Sequence, residues 1–326
     1  MRRSLLVSLV LGLLAATAAS AQAANRWIEP KTPLNIAHQG GEDEFPSNTV
    51  YAFRKAIKVG ADMLELDVGV TKDGKVIVMH DTTVDGKTNG HGTVVSKTLR
   101  QIKKLDAAFW FAPGASDHYS HALPPRTYKL RGIATGKRKP PKGFRASDFR
   151  VPTLAEVLKA FPRTPINIEI KGRTPDEATE EYVQNAETLA ALLKNTKRRN
   201  LIVVSFQQAA VDRFHELVPR IDVAPGIDGA ANWLLGGGSP GPGVVAFQVP
   251  ITFRLSGTQL DITTADNVAR AHRDGYAWQN WFSNDDRDAA GTWRNLIDMC
   301  VDGTMTSHPR AYERVLSMHK RPASCG

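Results

Sequence analysis

Short apolar runs alternate with amphipathic stretches along most of the chain, and this predicts strands separated by helices. Leu34–Ala37 is the first strand. Asn48–Val59 has helical spacing, with Asn48 as N-cap and Tyr51, Phe53, Ala56 and Ile57 apolar. Met63–Val68 is the second strand, and Lys75–Met79 an extended piece beyond the Asp73-Gly74 turn signal. Periodicity then fades across a Pro-, Gly- and Lys-rich segment, roughly 106–150, and resumes with a helix at Leu154–Phe161 capped by Thr153. Further strands are predicted at Ile166–Ile170, Leu201–Ser205, Asp222–Ala224, Val244–Val249, Tyr276–Trp281 and Asp302–Thr304. Helices are predicted at Asp176–Lys194, Val211–Leu217, Thr264–Arg273, Arg287–Ile297 and Pro309–His319. Strands separated by helices imply a mainly parallel sheet. The number of repeats favours an α/β fold of the TIM-type (β/α)8 barrel over an open sheet. No G-x-G-x-x-G opens a helix, so a dinucleotide fold lacks its main support.

The N-terminus follows a different pattern. Arg2 and Arg3 precede the apolar run Leu5–Ala16, which is shorter than the roughly 18 residues a membrane span needs. Small-residue sites follow at Ala19-Ser20-Ala21 and Ala21-Gln22-Ala23. A signal peptide over residues 1–23, cleaved near 21–23, is therefore expected, with the mature protein secreted or periplasmic. The barrel domain is expected over residues 30–320. In an oxidising compartment the two cysteines, Cys300 and Cys325, could form a disulfide that ties down the C-terminal tail. The net charge is +9, and residues 106–150 hold nine Lys/Arg against three Asp. Such a patch suggests an anionic partner, a phosphate substrate or an anionic lipid surface, or simply a solvated loop. No zinc-finger or other nucleic-acid motif is present, so nucleic acid is not an expected partner.

Chemistry collects at the ends of the predicted strands. His38 follows the first strand, Glu65 and Asp67 lie in the second, and His80-Asp81 closes the extended piece. Glu169 and Lys171 end the next strand, and Ser205, Gln248 and Gln279 end later ones. In a (β/α)-barrel the C-terminal ends of the strands form the active face. Residues i and i+2 of a strand point to one side, so Glu65 and Asp67 project together, as do Glu169 and Lys171. Three converging carboxylates repel one another, and one divalent cation relieves that repulsion. All-oxygen ligation suits Mg²⁺ or Ca²⁺, or Mn²⁺, better than zinc or copper.

In order, the chain carries His38-Gln39-Gly40-Gly41, Ser47-Asn48-Thr49, Gly60-Ala61-Asp62-Met63-Leu64-Glu65-Leu66-Asp67, Thr71-Lys72-Asp73-Gly74 and His80-Asp81. Val151-Pro152-Thr153-Leu154 and Glu169-Ile170-Lys171 follow. This succession resembles the glycerophosphodiester phosphodiesterase family. The resemblance implies a (β/α)-barrel with one divalent metal held by Glu65, Asp67 and Glu169, His38 and His80 as the acid/base pair, and Lys171 on the phosphate. It also implies an insertion after the His-Asp motif, here residues 82–150, that caps the barrel. Gln39, Gln248 and Trp278 are further candidate substrate contacts; Trp278 and Trp281 either wall a glycerol or choline pocket or, for at least one of them, pack between strand and helix. The chain departs from the family pattern where the residue after His38 is commonly Arg, where Glu commonly precedes Asn-Thr, and where Gly86 or Lys87 stands in place of a loop arginine.

The implied reaction is metal-dependent hydrolysis of a glycerophosphodiester to glycerol 3-phosphate and an alcohol. A lysophospholipase D or sphingomyelinase D-like enzyme would use the same chemistry on lipids, with Phe109, Trp110, Phe111 and Tyr119 either touching a membrane or forming the core of the insertion. A noncatalytic barrel that binds phosphate compounds is the alternative from another class. A histidine-based phospholipase C barrel fits less well, because the Glu-x-Asp and Glu-x-Lys pattern predicts a metal site. His118 and His121 form an H-x-x-H without a third ligand nearby in sequence.

Overall fold

A computed structural model of the chain describes residues 25–28, 31–115, 117–255 and 257–325. The expected signal peptide lies outside the described residues. The first half contains β1 (Leu34–Ala37), α1 (Val50–Lys58), β2 (Met63–Val70), β3 (Val76–Val78), α2 (Leu99–Ile102), α3 (Leu154–Ala160), β4 (Ile166–Ile170) and α4 (Thr179–Leu193). The second half contains β5 (Leu201–Val204), α5 (Gln208–Leu217), β6 (Asp222–Val223), α6 (Ile227–Gly236), β7 (Ala246–Pro250), β8 (Thr252–Leu255) and β9 (Thr258–Asp261). It closes with α7 (Ala265–Arg273), β10 (Ala277–Trp281), α8 (Ala290–Asp298), β11 (Gly303–Thr306) and α9 (Pro309–Met318).

The main sheet runs β6-β5-β4-β2-β1-β11-β10-β7, every pair parallel. A parallel bridge between Val223 and Val244, with Val245 N donating to Val223 O at 3.0 Å, spans the seam from β6 to β7. The sheet thus curls into a nearly closed eight-stranded barrel with helices outside. The extended piece at Lys75–Met79 is not a barrel strand. Its centre, β3, folds back antiparallel on β2, Val68 opposite Val78, as the tight Asp73-Gly74 turn requires. Between β3 and α3 the described residues hold only short helical turns.

Strand parity divides the barrel into layers. Leu64, Leu66, Val68, Ile166, Ile168 and Ile170 point outward into the core shared with α1, α3, α4 and α5. Residues of the opposite parity point inward. Ile36, Met63, Ile202, Ala246 and Ala277 pack with Trp27 into an apolar plug at the bottom of the barrel, and Met305 packs on it from above and lines the mouth cavity. One step further along the strands stand Asn167, Gln248 and Gln279, and then the carboxylates. A barrel of this size is packed by its own side chains, so the plug forces any ligand to the C-terminal mouth.

Two helix starts explain themselves locally. Thr153 accepts from Glu156 N while Glu156 accepts from Thr153 N at 2.7 Å, a reciprocal cap that starts α3. At α1 the cap is Thr49, whose hydroxyl accepts from Ala52 N at 3.1 Å, and not the expected Asn48. Asn48 has a left-handed φ of 56° and turns its side chain to the barrel mouth. Cys300 and Cys325 are joined in a disulfide, Cα atoms 5.2 Å apart. The tail also sends Arg321 to Cys300 O and to Asp302 Oδ1, the latter at 3.6 Å.

The aromatics of the inserted segment pack on one another. Phe111 is buried, and Arg131 lies over the rings of Phe109, Trp110 and Tyr128 at 4.2, 4.6 and 3.9 Å. They pack as the interior of the segment. His118 and His121 diverge: His118 pairs with Asp43, and His121 stacks on Trp110.

Candidate active site

The mouth is built from the register of β2 and β4. Glu65 lies across from Asn167, and Asp67 across from Glu169. Parity turns all four inward, which brings oxygens of Glu65, Asp67 and Glu169 to within 4.8 Å of one another. Glu65 and Asp67 are 2% and 0% exposed. Burial first, then the Asp67 and Glu169 charges, pushes Glu65 up to about 8. Asp67 is held below its ordinary value. Burial opposes its ionisation, but Lys171, His80, His38 and the Asn48 amide outweigh that.

Each carboxylate is tied by a hydrogen bond. Glu65 Oε2 accepts from Gln39 N at 2.7 Å. Asp67 Oδ2 accepts from Asn48 Nδ2 at 2.8 Å, and its backbone N–H is returned to Asn48 Oδ1 at 3.4 Å. Glu169 Oε1 accepts from Lys171 Nζ at 2.5 Å. Asp67 Oδ1 is buried and accepts no hydrogen bond, with Lys171 Nζ 3.2 Å away as an ion-pair partner. Three hard oxygen donors, one of them without a hydrogen bond, fit a divalent cation.

His38 leaves β1 into a tight turn. Gln39 has φ 49° and Gly40 φ 84°, and a Cβ on Gly40 would sit 2.9 Å from the Phe53 ring, so the turn requires glycine there. The strain at Gln39 aims its N–H at Glu65. His38 Nδ1 lies 3.1 Å from Glu42 Oε1. Burial alone would lower the His38 pKa, but Glu42, Glu65 and Asp67 raise it to about 10. His80 follows β3, and its Nδ1 lies 2.8 Å from Asp81 Oδ1. Lys171 is raised despite burial by Glu169 and Asp67.

Several contacts were not legible in the sequence. Glu42 links His38 to Lys87, whose Nζ reaches Glu42 Oε2 at 3.3 Å and Gln39 Oε1 at 2.8 Å above the Tyr119 ring. A cation from residue 87 thus stands beside position 39, where arginine is absent. Asp43 binds His118 and His308, both at 3.1 Å, and ties the inserted segment to the exit of β11.

Of the expected substrate contacts, Gln248 lies on the floor and donates to Asn167 and Gln279 at 3.2 and 2.9 Å. Gln39 is engaged by Glu65 and Lys87. Trp278 is a correction. Its parity on β10 is opposite to that of Gln279, so it faces outward, fully buried against Trp233 and Phe247, and cannot wall the pocket. Trp281, at the end of the same strand, does line the cavity.

These groups open into a cavity of about 990 Å³. One end holds His38, His80, Glu65, Glu169 and Lys171. The other is apolar, walled by α6 and by the hairpin β8–β9. A smaller hollow of about 440 Å³ at the starts of β1 and β2 contains none of these groups.

A model of the "Glycerophosphoryl diester phosphodiesterase family" matches residues 38–311. A glycerophosphodiester phosphodiesterase of Bacillus subtilis (strain 168) is 28% identical over 313 residues, 94% of this chain and 95% of that one. The human lysophospholipase D GDPD1 is 36% identical over 137 residues, 42% of this chain and 36% of its own. Among solved structures, an Oleispira antarctica phosphodiesterase in complex with the product sn-glycerol-3-phosphate superposes with a TM-score of 0.62. It is 19% identical, covering 88% of this chain and 97% of that one. At that identity the likeness concerns the fold.

Proposed function

This chain belongs to the glycerophosphoryl diester phosphodiesterase family, and from that premise we propose that the barrel mouth hydrolyses glycerophosphodiesters to glycerol 3-phosphate and the free alcohol. The observation that carries the reading is the meeting of Glu65, Asp67 and Glu169 within 4.8 Å in a cavity also lined by His38 and His80. Glu65, Asp67 and Glu169 would hold the cation, and the all-oxygen donor set suits Mg²⁺, Ca²⁺ or Mn²⁺. When bound, the cation supplies Lewis-acid polarisation of a phosphoryl oxygen. Lys171 adds fixed positive charge beside it.

The two imidazoles divide the proton traffic. Each turns Nδ1 to a carboxylate, Glu42 or Asp81, which fixes the tautomer and leaves Nε2 for the reaction. His80 takes the proton of the attacking water as its oxygen bonds to phosphorus. His38, kept protonated by its ring of carboxylates, gives a proton to the alcohol oxygen as the phosphorus–oxygen bond breaks. Hydrolysis of glycerophosphocholine in ¹⁸O-water checks the bond that breaks. The label is expected in glycerol 3-phosphate, and label in choline would exclude this reaction.

Two finer points belong to the same proposal. Export is supported by the apolar N-terminal run and by the Cys300–Cys325 bridge, since such bonds persist in oxidising compartments. Peripheral attachment to an anionic lipid surface would rest on the exposed Arg126, Lys129, Lys137, Arg138, Lys139 and Lys142. Co-sedimentation with anionic vesicles, lost at high salt, is the expected sign.

A further inference from the structure

The turn from His38 to Asn48 supplies three parts of the mouth. His38 lines the cavity, the Gln39 N–H is donated to Glu65 at 2.7 Å, and the Asn48 amide is donated to Asp67 at 2.8 Å. The backbone of this turn is strained. Gln39 and Asn48 hold φ at 49° and 56° without being glycine. Such conformations persist only where the surroundings over-determine them. The inner partners, Glu65 and Asp67, are the same groups that a cation would engage, so the turn needs support from its outer side.

The inserted segment grips that outer side at three points. The Ser47 N–H is donated to the Tyr119 hydroxyl at 2.6 Å. His118 Nδ1 lies 3.1 Å from Asp43 Oδ1. Lys87 Nζ donates to Gln39 Oε1 at 2.8 Å and to Glu42 Oε2 at 3.3 Å, over the Tyr119 ring at 4.9 Å. The grips are themselves anchored. Tyr119 packs on the buried Phe111, ring centroids 5.7 Å apart, and the Ala112 N–H is donated to His118 O at 2.8 Å. On the far side His308 meets Asp43 Oδ2 at 3.1 Å and Arg310 meets Glu44 at 3.3 Å. The turn is therefore held between the inserted segment and the start of α9.

The same segment stays out of the cavity. Among the described residues, none from 82–150 lines it. The walls come from α6, which turns Trp233 to the core and Ile227 to the cavity, and from Phe253 and Leu255 of the β8–β9 hairpin. The hairpin's polar face is backed by Thr252, which donates to Asp286 Oδ1 at 2.8 Å. The family resemblance implies a cap over the mouth, but these contacts make the segment a brace. We propose that Lys87, His118 and Tyr119 are positioning residues, through which the inserted segment fixes His38 and Asn48 against the carboxylates without touching the substrate. The inference rests on the hydrolytic reading above and changes none of its bonds.

The test compares the full enzyme with His118→Leu, Tyr119→Phe and the double variant. The substrates are glycerophosphocholine and an aryl glycerophosphodiester, whose phenolate leaves without a proton. Each reaction is titrated with the divalent cation that activates the parent. At saturating cation, kcat of the double variant on glycerophosphocholine is expected to fall about ten- to hundredfold with KM unchanged, as for a reacting group displaced by about 1 Å. Its kcat on the aryl substrate is expected to stay at the parent value. The cation concentration for half-activation is expected to rise about tenfold, as Asn48 loosens from Asp67. His118→Asn, which keeps an N–H where Nδ1 stands, is expected to retain the parent kcat. A rise in KM with kcat kept overturns the brace and puts the segment on the substrate. Equal losses on the two substrates at saturating cation also overturn it, and leave a general role in folding. Unchanged kinetics in the double variant overturns it by removing these contacts from the reaction. In all three cases the parent still turns over glycerophosphocholine and the hydrolytic reading stands. If the parent releases choline from glycerophosphocholine under no condition, and hydrolyses no aryl diester, both readings fall.

Discussion

Single residues decide how protons are held around the carboxylates. Glu65 carries a pKa of about 8 because it is buried beside Asp67 and Glu169. A carboxyl raised in the fold binds its proton more tightly folded than unfolded. Its contribution to cation-free stability is therefore present below the ordinary carboxylate range and is lost as pH rises through about 8. Cation binding must expel that proton. Calorimetry in buffers of different ionisation enthalpy should find roughly one proton released per cation near neutral pH, falling towards zero about one unit above the Glu65 value. Release independent of pH would contradict the assignment. The histidines separate by leaving group. His38→Ala should lower kcat on glycerophosphocholine by about 10²–10⁴-fold yet spare an aryl glycerophosphodiester, whose phenolate leaves without a proton. His80→Ala should lose both. Equal losses on the two substrates in both variants would show that the roles are not divided in this way. Glu42 and Lys87 support His38 from behind. Lys87→Met should therefore move the alkaline limb of the kcat/KM profile to higher pH, because Glu42 stays ionised while a positive charge is removed from beside protonated His38, an effect that loss of packing alone would not produce.

At the scale of elements, the turn before α1 does more than start a helix. Thr49 caps α1, while Asn48 holds Asp67 by two hydrogen bonds. Asn48→Ala leaves a buried carboxylate short of a donor. It should cost about 1–3 kcal/mol of stability in urea unfolding and about 10–100-fold in cation affinity. Unchanged affinity would reduce Asn48 to a structural role. The strand-end residues His38, Glu65, Asp67, Glu169 and Lys171 were legible in sequence because a two-residue period and the end of an apolar run fix both direction and depth. Asn48 is a good N-cap in isolation, and only the fold brings the stronger partner, Asp67, opposite it. α6 and the β8–β9 hairpin were not anticipated. A helix apolar on two faces has no single stripe to detect, and a short exposed hairpin with polar backing has little contrast. Trp278, one step of parity from Gln279, faces the helices and not the mouth, the packing role that the sequence allowed for one of Trp278 and Trp281.

At the scale of the whole molecule, the barrel was legible from the count and spacing of strand–helix units, and the layers inside it follow from parity. The Lys87–Gln39–Glu42 contacts were not, since they join residues 45 and 48 positions apart with no periodic relation. The Cys300–Cys325 bridge closes a loop of 25 residues around the end of the barrel. Its reduction should lower stability by about 3 kcal/mol, read from urea unfolding with and without reductant. The central claim is that one cation, held by Glu65, Asp67 and Glu169, is required for turnover. The most direct measurement is release of sn-glycerol 3-phosphate from glycerophosphocholine by chelator-treated protein, titrated with Mg²⁺, Ca²⁺ or Mn²⁺ beside Asp67→Ala. No turnover is expected without cation, with restoration that saturates at one cation per chain, and none in Asp67→Ala. Full turnover in excess chelator, or the same cation dependence in Asp67→Ala, would contradict it.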